Sequence, residues 1–458
     1  MPLSGLNNNL KRRISRRRAL MTAAAMVSVP QLGSAAVVSD RHLRIESIEQ
    51  TTVRLPMRPV PERNMAREIP HWKYFELFEV KLSNDVVGIG ETMLYYTWRG
   101  TESEDVERVK GKNAVECMWD DTLGAGLQMA LFDAVAKSAG VPVYRLLGDQ
   151  VHERTPLSWW NIDTSAEDMV SDCKEALRQG YMSYKTKGRP WFDVHRQVKM
   201  ATAAVPESFK IDMDFNDTLL DAERAIPILK DLEKYPQVDI YETPIPQEDI
   251  EGNCRIRDAT RVAIAMHYGN PNPAVVIRRE ACDGFVVGGG AREVMDAAAV
   301  AAVADMPFWL QLVGSSLTAH FSLHFGAVCS HATWPAVNCH QLFSAQIVNR
   351  VPEVKGGTAA IPQQPGIGVQ LDRDAIEKFR VPKPASRPEP KRLIETAWPD
   401  GQKAYIANDG EVNFVLTAGQ KGKYPFYKKG AETRLVPEDG SKWWKEMYRR
   451  ARNGLVLE

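Results

Sequence analysis

Two lysines and several carboxylates, spaced along one stretch of the chain, have the types and order a proton-transfer site needs. Residues 183–193 read SYKTKGRPWFD, residues 209–218 read FKIDMDFNDT and residues 238–246 read VDIYETPIP. Each is a short β-prone run ending in charged or polar groups: Lys185 and Lys187, then Asp212, Asp214 and Asn216, then Glu242. In a strand, residues i and i+2 face the same side. The two ammonium groups therefore share one site, and so do Asp212 and Asp214. Like charge and partial burial both lower a lysine's pKa, which makes it a usable base near neutrality. On a solvated edge strand the same lysines would do nothing of the kind. The carboxylates offer hard oxygen ligands of the sort Mg²⁺ takes, or they cap helices and pair with arginine.

These side chains meet only if the three runs are neighbouring parallel strands. Residues 155–345 do alternate strand with helix. Candidate strands lie at 157–161, 182–187, 209–215, 238–243, 262–267, 282–287, 309–314 and 336–342. The helix over 166–177 has Ser165 as N-cap and Gly180 beyond its end. Such spacing suits βα units and a parallel sheet. About eight of them predict a closed barrel with its chemistry at the C-terminal ends of the strands; an open doubly wound sheet is the competing arrangement.

Before the barrel, residues 42–54, 74–82 and 86–91 read as strands, the last two joined at Asn84-Asp85 as a hairpin. Residues 59–72 read as a polar loop long enough to be functional. Residues 102–147 read as helical, with Leu127, Ala130, Leu131, Ala134 and Val135 at helical spacing and Gly140 as a stop. Here GLQMALFDAVAKSAGVPVYRLLGD (126–149), the hairpin ending VVGIGE, and PGIGVQLD (365–372) resemble the mandelate racemase/muconate-lactonizing enzyme family of the enolase superfamily. The resemblance covers most of 42–375. It implies an α/β fold, an enolase-type (β/α)7β barrel (a modified TIM barrel) at 155–345, with an N-terminal α+β capping domain at 37–154. Residues 346–385 would return to the capping domain.

The resemblance also implies roles. YKTKG is similar to the family's K-x-K, which makes Lys187 the base and Lys185 its tuning partner. Asp214-Phe215-Asn216 resembles D-x-N, the first metal ligand, with Asp212 as the alternative. Glu242-Thr243-Pro244 resembles E-x-P, the second. Where the family has a third acid, this chain has His267 and Tyr268, and an imidazole nitrogen suits a transition metal better than Mg²⁺. Asp283, followed by Gly288-Gly289, has the spacing of the aspartate of the family's His-Asp pair. Gln311 stands where the partner histidine belongs, so two-base racemisation is not expected. Gln311 and His340 are candidate substrate contacts. His320 and His324 read as structural, and the triple glycine at 288–290 as a tight turn. The implied activity is abstraction of the proton α to a carboxylate, with a metal (Mg²⁺, or another divalent ion) stabilising the enediolate. A single base favours β-elimination, an acid-sugar dehydratase, with His267, Asp283 or His340 as the acid and the segment 59–72 setting specificity. The alternative is a member that has kept the fold and lost the chemistry, and binds a small acid or a protein partner.

Composition sets the outer limits. The 458 residues carry 58 basic and 58 acidic side chains. Residues 1–36 hold six of the basic ones (Lys11, Arg12, Arg13, Arg16, Arg17, Arg18) and no acid, which leaves about −6 on the remainder. A mildly acidic body argues against nucleic acid as partner, and no apolar run approaches the ~18–20 residues of a membrane span. The leader resembles a twin-arginine signal peptide, with Arg16-Arg17, an apolar stretch at 19–29 and small residues at 34–36. It implies export to the periplasm. The six cysteines form no CxxC and read as mostly free thiols. Residues 386–458 form a proline-led extension ending in SKWWKEMYRRA. It carries no recognisable motif and, with the resemblance, points to a homo-oligomer.

Overall fold

Alternating apolar residues build the first layer. Strands β1 (Ile45–Arg54), β2 (Tyr74–Leu82) and β3 (Val87–Met93) form an antiparallel sheet in that order. The computed structural model describes residues 43–96 and 99–458, so the leader lies outside the described residues. Asp85, at φ 63°, makes the tight turn of the β2–β3 hairpin. One helix of the 102–147 region, labelled α2 below, covers this sheet at close range. A Cβ on Gly88 would fall 2.1 Å from the carbonyl oxygen of Ala130, so only glycine admits the helix there.

The polar loop expected at 59–72 is instead a helix, α1 (Pro59–Glu68). Pro59 sits in its first turn, where a missing N–H costs nothing. Its buried face is polar (Asn64, Arg67 and Glu68 beside Met65), so no apolar periodicity announces it. Helix α2 (Ala125–Ser138) is buried along nearly its whole length.

The barrel strands are β4 (Trp159–Trp160), β5 (Ser183–Lys187), β6 (Lys210–Asp214), β7 (Val238–Glu242), β8 (Ala263–His267), β9 (Gly284–Val287) and β10 (Phe308–Leu310). They form one parallel sheet in sequential order. The eighth strand expected at 336–342 is not a ladder strand. Residues 336–338 nevertheless close the ring: Val337 N donates to Leu310 O at 2.8 Å, and Ser158 N to Ala336 O at 2.9 Å. Helices follow the strands on the outside, among them α3 (Ala166–Arg178) after β4, capped by Ser165, and α4 (Ser316–Val328) after β10. On α4, His320 and His324 are buried and hold backbone carbonyls, Ser316 O at 2.7 Å and Ile367 O at 3.2 Å. Burial pushes their imidazoles down to about 4 and about 3, so they are neutral structural groups.

The extension is a further antiparallel sheet with its own apolar clusters. Strands β11 (Leu393–Ala397), β12 (Lys403–Ala407), β13 (Glu432–Val436) and β14 (Val456–Leu457) run in the order β13-β11-β12-β14. Helix α5 (Phe414–Gln420) and the amphipathic helix α6 (Lys442–Ala451) pack on it. None of the six cysteines is in a disulfide, and among the described residues no helix is long and apolar enough to cross a membrane.

Candidate active site

Strand register brings the charged residues together. Lys187 pairs with Asp214 across β5–β6, and Asp214 with Glu242 across β6–β7. All three sit at the last residue of their strands, so they share the C-terminal mouth of the barrel. The ammonium of Lys187 is in contact with Asp214 Oδ2, and that of Lys185 with Glu242 Oε2. Lys185 Nζ also lies 3.9 Å from Asp214 Oδ2 and 3.0 Å from Gln311 Oε1, and sits over the Trp309 ring at 4.9 Å. His267 Nε2 is 2.9 Å from Glu242 Oε1. Asp214 Oδ1 accepts from the backbone N–H of Asn216 at 2.8 Å, and the Asn216 side-chain oxygen accepts from Arg189 Nη1 at 3.0 Å.

The electrostatics separate the two lysines. Burial pulls Lys185 down, but the charges of Glu242 and Asp214 outweigh it and hold the lysine above its ordinary range. For Lys187, burial outweighs the attraction of Asp214, and the neighbouring Lys185 adds to the drop, so its pKa falls. Burial likewise acts to raise Glu242, and the Lys185 charge overrides it, leaving a carboxylate held well below the usual range. Asp212, one register step deeper, is pushed well above that range by burial and by the Asp239 charge. Of the two alternative ligands, Asp214 is the one at the barrel mouth.

The remaining candidates divide. Gln311 and His267 border a cavity of about 380 Å³ between the barrel mouth and the capping layer, with Tyr96, Tyr268, Met129 and Phe325 among its walls. Asp283 is not in the site. It precedes β9 and so stands at the opposite end of the barrel, where its carboxylate accepts from Arg257 Nε at 2.8 Å and Ile264 N at 3.0 Å. The glycine spacing that singled it out places the turn correctly but says nothing about which end of a short strand the aspartate occupies. His340 is also displaced. It is buried 3.0 Å from Tyr181 Oη, does not line the cavity, and is pushed down to about 3 by burial. Gly289, at φ 104°, makes the turn into the helix after β9.

Two residues near the cluster escaped the sequence reading. Asp217 has a buried Oδ1 without a hydrogen bond, and burial together with the Asp214 charge lifts its carboxyl to about 6. Arg189, two residues past Lys187, is buried and donates to Glu68 Oε1 at 2.7 Å and Asn216 Oδ1 at 3.0 Å. The i+2 spacing after Lys187 was the available signal for Arg189; for Asp217 there was none.

The donor set does not fit Mg²⁺. A hard cation of this kind wants several oxygen ligands. The strand position next to Glu242 is Ala265, which has no donor. His267 offers nitrogen and is turned to Glu242, and each carboxylate already meets a lysine ammonium. Among the described residues no group of three or more His, Cys, Asp or Glu side chains is placed to hold a metal ion.

A parallel barrel under an α+β cap, with lysines and carboxylates on successive strand ends, is enolase-type architecture. Residues 168–375 match the family described as Enolase C-terminal domain-like. The chain is 22% identical over 279 residues to N-succinyl-L-Arg/Lys racemase of Bacillus cereus, spanning 57% of this chain and 72% of that one. It is 24% identical over 311 residues to D-gluconate dehydratase of Thermoproteus tenax, 60% of each. Among solved structures, a mandelate racemase/muconate lactonizing family protein from an Azoarcus species superposes at TM-score 0.62 with 23% identity, over 75% of this chain and 99% of the other. Residues 168–375 are thus similar to the barrel domain of the enolase superfamily, and the fold is that of solved mandelate racemase/muconate lactonizing structures.

Proposed function

We propose that the protein takes the proton α to the carboxylate of a small hydroxy acid with Lys187 and expels the β-hydroxyl, as a lyase. The observation that carries this is the buried Lys185–Lys187–Asp214–Glu242 cluster beside the cavity, with the base lysine's pKa lowered by burial. The α C–H bond breaks, its proton passes to Lys187 Nζ, and the electron pair moves into the carboxylate. The Lys185 ammonium faces that developing charge. The β C–O bond then breaks, and the leaving hydroxide departs as water with a proton from His267. The electron pair returns from the carboxylate to form the Cα–Cβ double bond; in a substrate that also carries an α-hydroxyl the product is an enol, which tautomerises to a keto acid. Elimination fits better than racemisation because Gln311, a neutral amide, holds the position of a second base, and Asp283 is at the far end of the barrel. The dehydratases of gluconate and galactonate among the relatives support this class. Within it, the cavity favours an apolar body over a polyol. Met129, Val286, Leu312, Val313, Phe321 and Phe325 form much of its wall, while the side chains of Gln128, Thr318 and Glu91 already bond within the protein.

A second reading, a binder without chemistry, is favoured by the missing third carboxylate at Ala265 and His267. One experiment separates the two. The protein is incubated in D₂O with apolar hydroxy acids, sugar acids and N-acyl amino acids, and proton NMR follows deuterium at the α-carbon and keto-acid product. Exchange that survives Lys187→Ala refutes the base. Thermal stabilisation by an acid without exchange supports the binder. We further read residues 1–36 as delivering the enzyme to the periplasm; a reporter fused to them that is still exported after Arg16→Lys and Arg17→Lys would exclude the twin-arginine route.

A further inference from the structure

Residues 386–458 carry no motif, yet they touch the loops that present the lysine–carboxylate cluster. Tyr427 Oη donates to Gly188 O, the carbonyl next after Lys187, at 3.0 Å. The same hydroxyl lies 2.7 Å from Thr218 Oγ1, which itself donates to Phe215 O at 2.5 Å, directly after Asp214. Gly188 N donates to Asp214 O at 2.8 Å. One tyrosine of the extension thus ties the end of β5 to the end of β6 beyond their ladder. Tyr427 does so from φ 43°, a left-handed conformation that a bulky residue holds only when its surroundings over-determine it.

The extension grips the cap as well. Arg392 Nη1 donates to the carbonyls of Arg67 and Glu68, at 2.8 Å each, and Asn413 Nδ2 donates to Glu68 Oε1 at 2.7 Å. Glu68 in turn receives Arg189, and Gln420 Nε2 reaches Asn216 O at 3.2 Å. Trp191 and Phe192, in the loop after the lysine strand, belong to the extension's own apolar cluster. A Cβ on Gly419 of α5 would sit 2.9 Å from the Trp191 ring, so the two surfaces meet without slack.

We propose that the extension is a built-in part of the reaction centre, with Tyr427 as the positioning residue that keeps Lys187 and Asp214 in register and Asn413 and Arg392 pinning α1 against the barrel mouth. The catalytic consequence rests on the function proposed above; the positioning itself does not. A base displaced by about 1 Å can lose on the order of 100-fold in rate. A lysine on a four-carbon stem depends on the backbone beneath it for that precision.

The test uses the full chain, its Tyr427→Phe variant, which keeps the ring and drops the hydroxyl, and its Asn413→Ala variant. Hydrogen–deuterium exchange by mass spectrometry reads the segments 183–190, 214–218 and 59–68. Tyr427→Phe is expected to speed exchange at least tenfold in the first two and leave 59–68 unchanged. Asn413→Ala should do the reverse. If an acid is turned over, Tyr427→Phe lowers kcat at least tenfold with KM unchanged. Unchanged exchange in 183–190 and 214–218 overturns the proposal. So does acceleration spread evenly through the chain, since the tyrosine would then serve only general stability. If the wild type turns over no acid, the proposed function fails while the exchange measurements still decide this inference.

Discussion

Lys185→Met, Glu242→Gln and the double variant test the electrostatics of the site without any substrate. Both side chains are 1% exposed. Removing one partner of a buried ion pair strands the other and costs about 3–5 kcal/mol, whereas replacing both with neutral groups of similar volume can be close to neutral. The two single variants are not equivalent here. Without Lys185, Glu242 keeps the His267 imidazole and the more distant Lys187 charge, and Asp214 keeps Lys187 in contact. Without the Glu242 charge, Lys185 still has Asp214 at 3.9 Å, an attraction of about 4 kcal/mol at an effective dielectric constant near 20. Lys185→Met should therefore fall at the upper end of the range, about 4–5 kcal/mol, and Glu242→Gln at the lower, about 3. The double variant should lose no more than Glu242→Gln alone. The assay is urea unfolding of the full chain at pH 7, with the order of the midpoints as readout because a chain with separate cores need not unfold in one step. The pH adds a check. Glu242 is depressed in the folded state, so its stabilisation is present above the ordinary carboxylate range and is lost as pH falls through the folded pKa. In Lys185→Met that depression is relieved, so the gap to wild type should narrow below about pH 4. Strictly additive losses in the double variant would refute the pairing.

Three further outcomes follow from the same geometry. His71, His320, His324 and His340 are pushed by burial down to about 4, 4, 3 and 3; the unfolded chain then binds more protons below pH 6.5, and each should cost about 2 kcal/mol at pH 5. Thermal midpoints should drop steeply from pH 6.5 to 4.5, with a shallower slope in His71→Phe, whose wild-type ring nitrogens are both unpartnered; an unchanged slope counts against buried neutral histidines. Asp217 works in the opposite sense. Its raised carboxyl, at about 6, favours the fold at low pH and loses that contribution as pH rises from about 4 to 6, so Asp217→Asn should gain up to about 3 kcal/mol at pH 8 and nothing at pH 3.5, as denaturant midpoints would show. Finally, His267→Glu supplies the missing third carboxylate beside Glu242 and Asp214; calorimetry should show Mn²⁺ or Mg²⁺ binding at least tenfold tighter than in wild type, and equal affinity would mean that the donor set was not what limits the metal.

Much of the barrel was legible because its signals are local. Each βα unit announces itself by an apolar run, a cap such as Ser165 and a turn such as Gly289, whatever the rest of the chain does. The same locality explains the misreadings. Helix α1 reads as a loop because its buried face is polar and finds partners far away in sequence, among them Asp163, Arg189, Arg392 and Asn413. Asp283 was placed in the site because sequence spacing does not tell a strand's entry from its exit.

The sequence by itself determined the period-2 placement of Lys185 with Lys187 and of Asp212 with Asp214, since side chains alternate along any strand. It also determined that no acid follows at the third position. Tertiary structure decided the rest. Parallel register put Lys187, Asp214 and Glu242 at one level, and burial split the lysines and raised the Asp212 carboxyl. The fold also brought Tyr427 back to Gly188 from 239 residues away. Charge and dielectric environment are properties of what packs around a residue, and contacts between segments far apart in the chain exist only once it has folded.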